Sequence, residues 1–165
     1  MLIFSQVTIL IKMWAKCRGI YNYNLGYLNG ISIMILVAKA MQTFYSENGA
    51  NHVKALLTSH FTYFRQIIIE HFFNLYADWP WDDPCFKDRA VWLVDYDKYI
   101  MDNELRCTNS ISELQSFEFL QVQYQLSHQA LIPILSPFPP FKCTTSQMSI
   151  SCKSKILKEF EIARR

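Results

Sequence analysis

Apolar side chains recur at helical spacing in three long stretches of the chain, and each stretch is followed by glycine or proline. Gly19 ends the first stretch, and Pro80 and Pro84 stop the third, because proline cannot continue a helix. The middle stretch is apolar nearly all round, which is typical of a buried helix. The predicted helices cover residues 3–18, 31–44 and 52–77. The pattern therefore predicts a mostly α fold.

The second half of the chain is less regular. We predict a short strand over residues 90–94, a helix over 111–126, an extended proline-rich segment over 131–140 and a last helix over 154–163. The expected fold is thus a helical domain with one or two short strands within residues 85–151. The prolines at 133–140 are expected to make an extended crossing along its surface.

Composition limits the classes of function. Hydrophobic residues make up 51% of the chain and charged residues 18%, so the chain can build a packed core and is not of the disordered class. The net charge of +2 does not by itself argue for nucleic-acid binding. No apolar run approaches the roughly 20 residues that a membrane-spanning helix needs, so we expect no membrane association.

Isolated residues that could carry chemistry have simpler interpretations. Asp95 and Asp97 form a D-x-D pattern after the predicted strand, but we interpret it as a solvated turn. The histidines show no pair at metal-ligand spacing on one helix face, and His71 sits in the apolar pattern of a core histidine. The histidines are His52, His60, His71 and His128.

Four separated segments resemble one family. Residues 11–21 (IKMWAKCRGIY) resemble the I-K-x-W-A-K-x-x-x-I-Y stretch of eukaryotic poly(A) polymerases. The other segments that resemble the family, in the same order, are residues 24–38 (NLGYLNGISIMILVA), 72–84 (FFNLYADWPWDDP) and 132–140 (IPILSPFPP), with shorter similarity at 149–151 and 158–160. The chain is identified as the central domain of such an enzyme over residues 1–165, with 85–130 as a divergent, insert-like region.

The resemblance implies a nucleotide site. In the family, the residues at the positions of Lys12 and Tyr21 contact the triphosphate of ATP, and the pair at Gly30 and Ile31 brings the backbone close to the nucleotide. Lysine, a phenol and the free N–H groups of a helix start all suit phosphate. Without the resemblance, these residues would be interpreted as a surface lysine, a packed aromatic and a turn. Asn29 stands where the family usually has glycine. We expect asparagine to tolerate a left-handed turn there and to narrow the pocket on the adenine side of the nucleotide.

The resemblance also implies an activity that the chain does not complete. Family members transfer AMP from ATP to an RNA 3′ end, using Mg²⁺ or Mn²⁺ held by carboxylates of a catalytic domain that precedes the I-K-x-W-A-K helix. We therefore expect no catalytic or metal-binding residue in this chain, and no activity from it alone. The implied partners are ATP, an RNA 3′ end, the parent's catalytic domain and 3′-end processing factors, in the nucleus. A fragment of the parent enzyme, a non-catalytic binding module and a non-functional remnant all stay open.

Overall fold

A computed structural model describes residues 2–49, 61–93, 129–138 and 142–165. The helices are α1 (Leu2–Cys17), α2 (Gly30–Asn48), α3 (Phe61–Ala77), α4 (Phe86–Arg89) and α5 (Ile150–Arg164), with a 3₁₀ turn at Tyr23–Leu25. Helices α1, α2 and α3 pack against one another, and α5 packs on α3. The prediction of a mostly α domain is confirmed. Among the described helices, none is long and apolar enough to cross a membrane.

Helix α1 is amphipathic, and its end forms as the sequence predicts. Its buried side chains recur every four residues, at Ile3, Val7, Ile11 and Ala15. The helix ends at Cys17, and Gly19 follows with φ of +66°. The N–H of Ile20 then donates to the carbonyl of Ala15 at 3.0 Å, which turns the chain back toward the core.

Helix α2 differs from the prediction in one respect. It extends from Gly30 to Asn48 and buries one long face, but Ile31 and Met34 are 59% and 48% exposed. The prediction of a helix buried all round is therefore wrong. Its apolar composition reflects a second face that no described residue covers.

Helix α3 carries the aromatic centre of the core. Phe64, Phe72 and Tyr76 are fully buried, and the Tyr76 hydroxyl donates to the carbonyl of Leu36 at 2.7 Å. The helix ends at Ala77, before the prolines as predicted, and Trp81 Nε1 donates to the free carbonyl of Tyr76 at 2.9 Å. Residues 52–60 of the predicted helix lie outside the described residues.

The expected strands are reduced to isolated bridges. Within the described residues, Val91 pairs with Ile134 in parallel and Leu135 pairs with Cys143 antiparallel. Residues 132–135 are buried, with Ile134 and Leu135 at 0% exposure. The prediction that residues 133–140 cross the surface is therefore wrong for 133–135, because the aliphatic side chains there fill the core. Phe138 is exposed, and residues 139–140 lie outside the described residues. Residue 94 and the predicted helix over 111–126 lie outside the described residues.

Helix α5 starts a turn earlier than predicted, at Ile150 instead of Ser154. Ser149 is its N-cap and its hydroxyl accepts from the N–H of Cys152 at 3.3 Å. Ile156 and Phe160 are buried, and Phe160 contacts the rings of α3.

Candidate functional site

Two lysines of α1 flank one tyrosine. Lys12 and Lys16 lie one helical turn apart on the same face, and their Nζ atoms are 5.3 Å and 5.5 Å from the centre of the Tyr21 ring. The turn at Gly19 and the bridge between Tyr21 and Leu28 set the ring in this position. The arrangement concentrates two ammonium groups around a phenol.

The start of α2 faces the same tyrosine. A Cβ placed on Gly30 would lie 3.4 Å from the Tyr21 hydroxyl oxygen, so the phenol and the helix start are in contact distance. Among the described residues, the N–H groups of Gly30 and Ile31 have no acceptor. The structure therefore brings Lys12, Tyr21 and Gly30 together, with Ile31 exposed beside them.

The charged side chains of the first 46 residues are all basic. The chain up to position 46 carries Lys12, Lys16, Arg18 and Lys39, and its first acidic residue is Glu47. Arg18 is in part neutralised, because its Nε lies 3.5 Å from a carboxylate oxygen of Glu159 on α5. For Lys12 and Lys16 no carboxylate lies within salt-bridge distance in the described part of the chain. With the open N–H groups of α2, the local field favours an anion.

Asn29 is the N-cap of α2. Its backbone is extended, with φ of −114° and ψ of 178°, and its Oδ1 accepts from the N–H of Ser32 at 2.8 Å. The expectation that asparagine serves here by tolerating a left-handed turn is therefore wrong. Asn29 instead has an ordinary backbone conformation and caps α2, a role for which asparagine is among the most favoured residues.

An apolar groove begins at Ile31. It has a volume of about 340 Å³ and includes Met34 and Ala38 of α2, Phe4 of α1 and the loop around Phe138. Ile31, which lines the groove, directly follows Gly30, the residue next to the Tyr21 hydroxyl. A ligand with an anionic end and a flat apolar end would match the cationic cluster around Tyr21 and the apolar groove at Ile31.

The site does not fit a divalent metal held by this chain alone. Mg²⁺ and Mn²⁺ take oxygen ligands, mainly carboxylates, whereas the described residues around Tyr21 supply ammonium groups and N–H donors. A group of possible ligands lies elsewhere, at Asp83, Cys85 and Asp88. There the Asp83 carboxylate accepts from the N–H of Cys85 at 2.7 Å, which is an ordinary turn. Asp95 and Asp97, like His52, His60 and His128, lie outside the described residues.

Sequence reasoning missed two residues of the site. Lys16 is absent from the predicted site, although it lies four residues after Lys12 and this spacing alone places it on the same helix face. Asn29 was treated as a departure, and its role as N-cap was not predicted. The motif N-G-I-S, with a capping residue before a helix start, was the available signal.

Comparison with known proteins supports the resemblance. Residues 3–66 match the family described as the poly(A) polymerase central domain. The chain is 27% identical over 159 residues to poly(A) polymerase PAPa of Candida albicans, which covers 96% of this chain and 22% of that protein. It is 37% identical over 78 residues to poly(A) polymerase of Entamoeba histolytica, covering 47% of this chain and 12% of that protein. It is 31% identical over 81 residues to nuclear poly(A) polymerase 4 of Arabidopsis thaliana, covering 49% of this chain and 9% of that protein.

The chain is therefore similar to poly(A) polymerases along most of its length, and its first part matches the model of their central domain. It spans about a fifth of the length of the Candida relative.

Proposed function

We propose that this chain supplies the nucleotide-contact surface of a polynucleotide adenylyltransferase, which transfers AMP from ATP to an RNA 3′ end. The observation that carries the proposal is the position of the Tyr21 ring, which lies between the ammonium groups of Lys12 and Lys16 and the start of α2 at Gly30. Similarity to the relatives supports it, because they are poly(A) polymerases.

Each group has a chemical role in this proposal. The ammonium groups of Lys12 and Lys16 attract the triphosphate, and the Tyr21 hydroxyl donates a hydrogen bond to a phosphate oxygen. Glycine at position 30 lets the backbone at the start of α2 approach the ribose and base end of the nucleotide closely, so that the open N–H groups of α2 can donate to acceptors of that end. Ile31 presents an apolar face, continuous with the groove, to the adenine.

The transfer step needs groups from outside this surface. Mg²⁺ or Mn²⁺ would activate the RNA 3′-hydroxyl and stabilise the leaving pyrophosphate. We propose that a catalytic domain of the parent enzyme holds these metals, and that the nucleotide lies between that domain and this one. The RNA 3′ end and 3′-end processing factors are the further partners, and the nucleus is the proposed location, in line with the name of the Arabidopsis relatives.

The proposal is tested by isothermal titration of ATP with Mg²⁺ into the chain and its Lys12→Ala variant. Loss of a charge-assisted contact of about 1.5–3 kcal/mol is expected to weaken binding by about ten-fold or more. Lys158→Ala is the matched control, because Lys158 is an exposed lysine on α5 and the cation contacts of the Tyr21 ring come from Lys12 and Lys16. A folded, monomeric sample that binds no ATP, or equal affinities for wild type and Lys12→Ala, would refute the proposal.

A second assay separates binding from chemistry. The chain is incubated with ATP, Mg²⁺ and an oligo(A) primer, and the primer is expected to keep its length. Lengthening of the primer would contradict the proposal that a separate catalytic domain holds the metals, and would indicate that carboxylates of this chain bind them.

A further inference from the structure

The Asn29 side chain makes two different contacts at the start of α2. Its Oδ1 accepts from the N–H of Ser32, and its Nδ2 donates to the carbonyl of Thr144 at 3.1 Å, across 115 positions of sequence. The hydroxyl of Ser32, which is fully buried, adds a second connection, since it donates to Thr144 Oγ1 at 2.8 Å. One amide therefore both caps the helix and ties it to a distant segment.

Thr144 is itself held from the other side. Its N–H donates to the carbonyl of Ile134 at 2.8 Å, and its hydroxyl donates to the same carbonyl at 3.0 Å. Ile134 is fully buried and bridges to Val91. The start of α2 is thus connected, through Thr144, to a fully buried part of the described core.

This connection limits which groups of α2 can meet a ligand. Because the N–H of Ser32 is taken by Asn29, only Gly30 and Ile31 keep open N–H groups at the helix start. A glycine at position 29 could neither cap nor reach Thr144, so Gly30 and Ile31 would depend on backbone contacts alone for their position. The position of Gly30 and Ile31 determines how the exposed Ile31 side chain lies relative to Tyr21.

We propose that Asn29 is a positioning residue, whose amide holds Gly30 and Ile31 against the base and ribose end of the bound nucleotide by anchoring them to Thr144. The inference rests on the proposed function. It distinguishes two halves of the site. Lys12, Lys16 and Tyr21 are carried by α1 and its following loop and meet the phosphates without help from Asn29. Binding of the base and ribose end depends on the hydrogen bond from Asn29 to the Thr144 carbonyl.

The test compares ATP with inorganic tripolyphosphate as ligands for wild type and Asn29→Ser. Serine can still cap the helix but is too short to donate to the Thr144 carbonyl. Loss of one hydrogen bond of about 1 kcal/mol is expected to weaken ATP binding about five-fold, with tripolyphosphate binding unchanged within about two-fold. Asn22→Ser is the matched control, because Asn22 also caps a turn in this loop, through the N–H of Asn24, and is expected to change neither ligand.

A ligand-free measurement accompanies the titrations. In Asn29→Ser, the amide hydrogen of Thr144 is expected to exchange several-fold faster with solvent, while the amide of Ile20, which is bonded within the α1 turn, keeps its rate. Thr144→Val, which removes the hydroxyl but keeps the carbonyl, is a second variant expected to weaken ATP binding less than Asn29→Ser does.

The outcomes separate the two proposals. If wild type binds ATP and Asn29→Ser binds it equally well, or if the variant loses ATP and tripolyphosphate in the same proportion, the positioning role is refuted and the proposed function stands. If wild type binds neither ligand, the proposed function is refuted and no nucleotide remains for Asn29 to position. Selective loss of ATP with faster exchange at Thr144 supports the inference.

Discussion

Gly26 gives the sharpest prediction about how the site loop is built. It closes the 3₁₀ turn with φ of +78° and ψ of 14°, and its N–H donates to the carbonyl of Tyr23 at 2.9 Å. A Cβ at this position would lie 2.8 Å from the carbonyl oxygen of Gln147 and 3.4 Å from Cα of Met148. Both neighbours are backbone atoms, so the loop and the segment before α5 would have to separate.

The cost of Gly26→Ala follows from two terms. Left-handed backbone costs an ordinary residue about 1–2 kcal/mol, and the smaller entropy of the unfolded alanine chain offsets about 0.4–1 kcal/mol of that. Forcing an extra carbon into a packed contact adds about 1–3 kcal/mol. The free energy of unfolding should therefore fall by about 2–4 kcal/mol, which is a large part of the stability of an ordinary domain.

Gly19→Ala is the matched control. Gly19 also has a left-handed backbone, at φ of +66°, but its added Cβ would meet only Lys155 Nζ, at 3.4 Å and at the end of a flexible side chain. Gly19→Ala should therefore cost about 1 kcal/mol, from the backbone alone. Urea unfolding followed by circular dichroism measures both variants. Equal losses in the two variants would show that the contact between Gly26 and Gln147 does not matter, and would refute this account of the loop.

Two further predictions concern buried groups in the core. Tyr76→Phe should lower the free energy of unfolding by about 1 kcal/mol through the lost hydrogen bond to Leu36, whereas Tyr63→Phe, at an exposed position, should not. Burial raises the pKa of Tyr76, so wild type should lose stability as the pH rises above about 10, where the tyrosine ionises in the unfolded chain. Tyr76→Phe should lose less stability over the same range. Parallel stability profiles of the two proteins at alkaline pH would contradict this. Burial also lowers the pKa of His71, against opposing effects of Glu47 and a backbone hydrogen bond with Ala40. Because the unfolded histidine binds a proton more readily, stability should fall as the pH drops below about 6.5, and urea unfolding of His71→Gln between pH 5 and 7 should show a smaller slope.

The helices could be predicted because their signals are local. Periodic apolar residues, Gly19 after α1 and the prolines after α3 act over a few positions each. The start of α5 was placed too late because its first turn is polar, and Cys152 is the residue that the turn buries. The prolines at 133–140 predict an extended backbone but do not indicate that Ile134 and Leu135 face the core, which is why the predicted surface crossing fails at 133–135.

The site was predictable only in part, for a related reason. Lys12, Tyr21 and Gly30 could be named from a resemblance, but their convergence depends on the left-handed turn at Gly19 and on the bridge between Tyr21 and Leu28. The tie from Asn29 to Thr144 spans most of the chain, and no periodicity or local motif reports such a contact. Long-range hydrogen bonds of this kind become visible only once the packing of α2 against residues 134–145 is known.

The distribution of ion pairs supports an anion as the natural counterpart of the site. On α5, Lys153 lies 2.6 Å from a carboxylate of Asp82, and Arg164 pairs with Asp78. Lys12 and Lys16 have no such carboxylate in the described part of the chain, and like charges one turn apart cost a helix about 0.2–0.5 kcal/mol. A polyphosphate between them would remove this repulsion and add attraction, so that the ligand stabilises the fold by the same contacts that bind it.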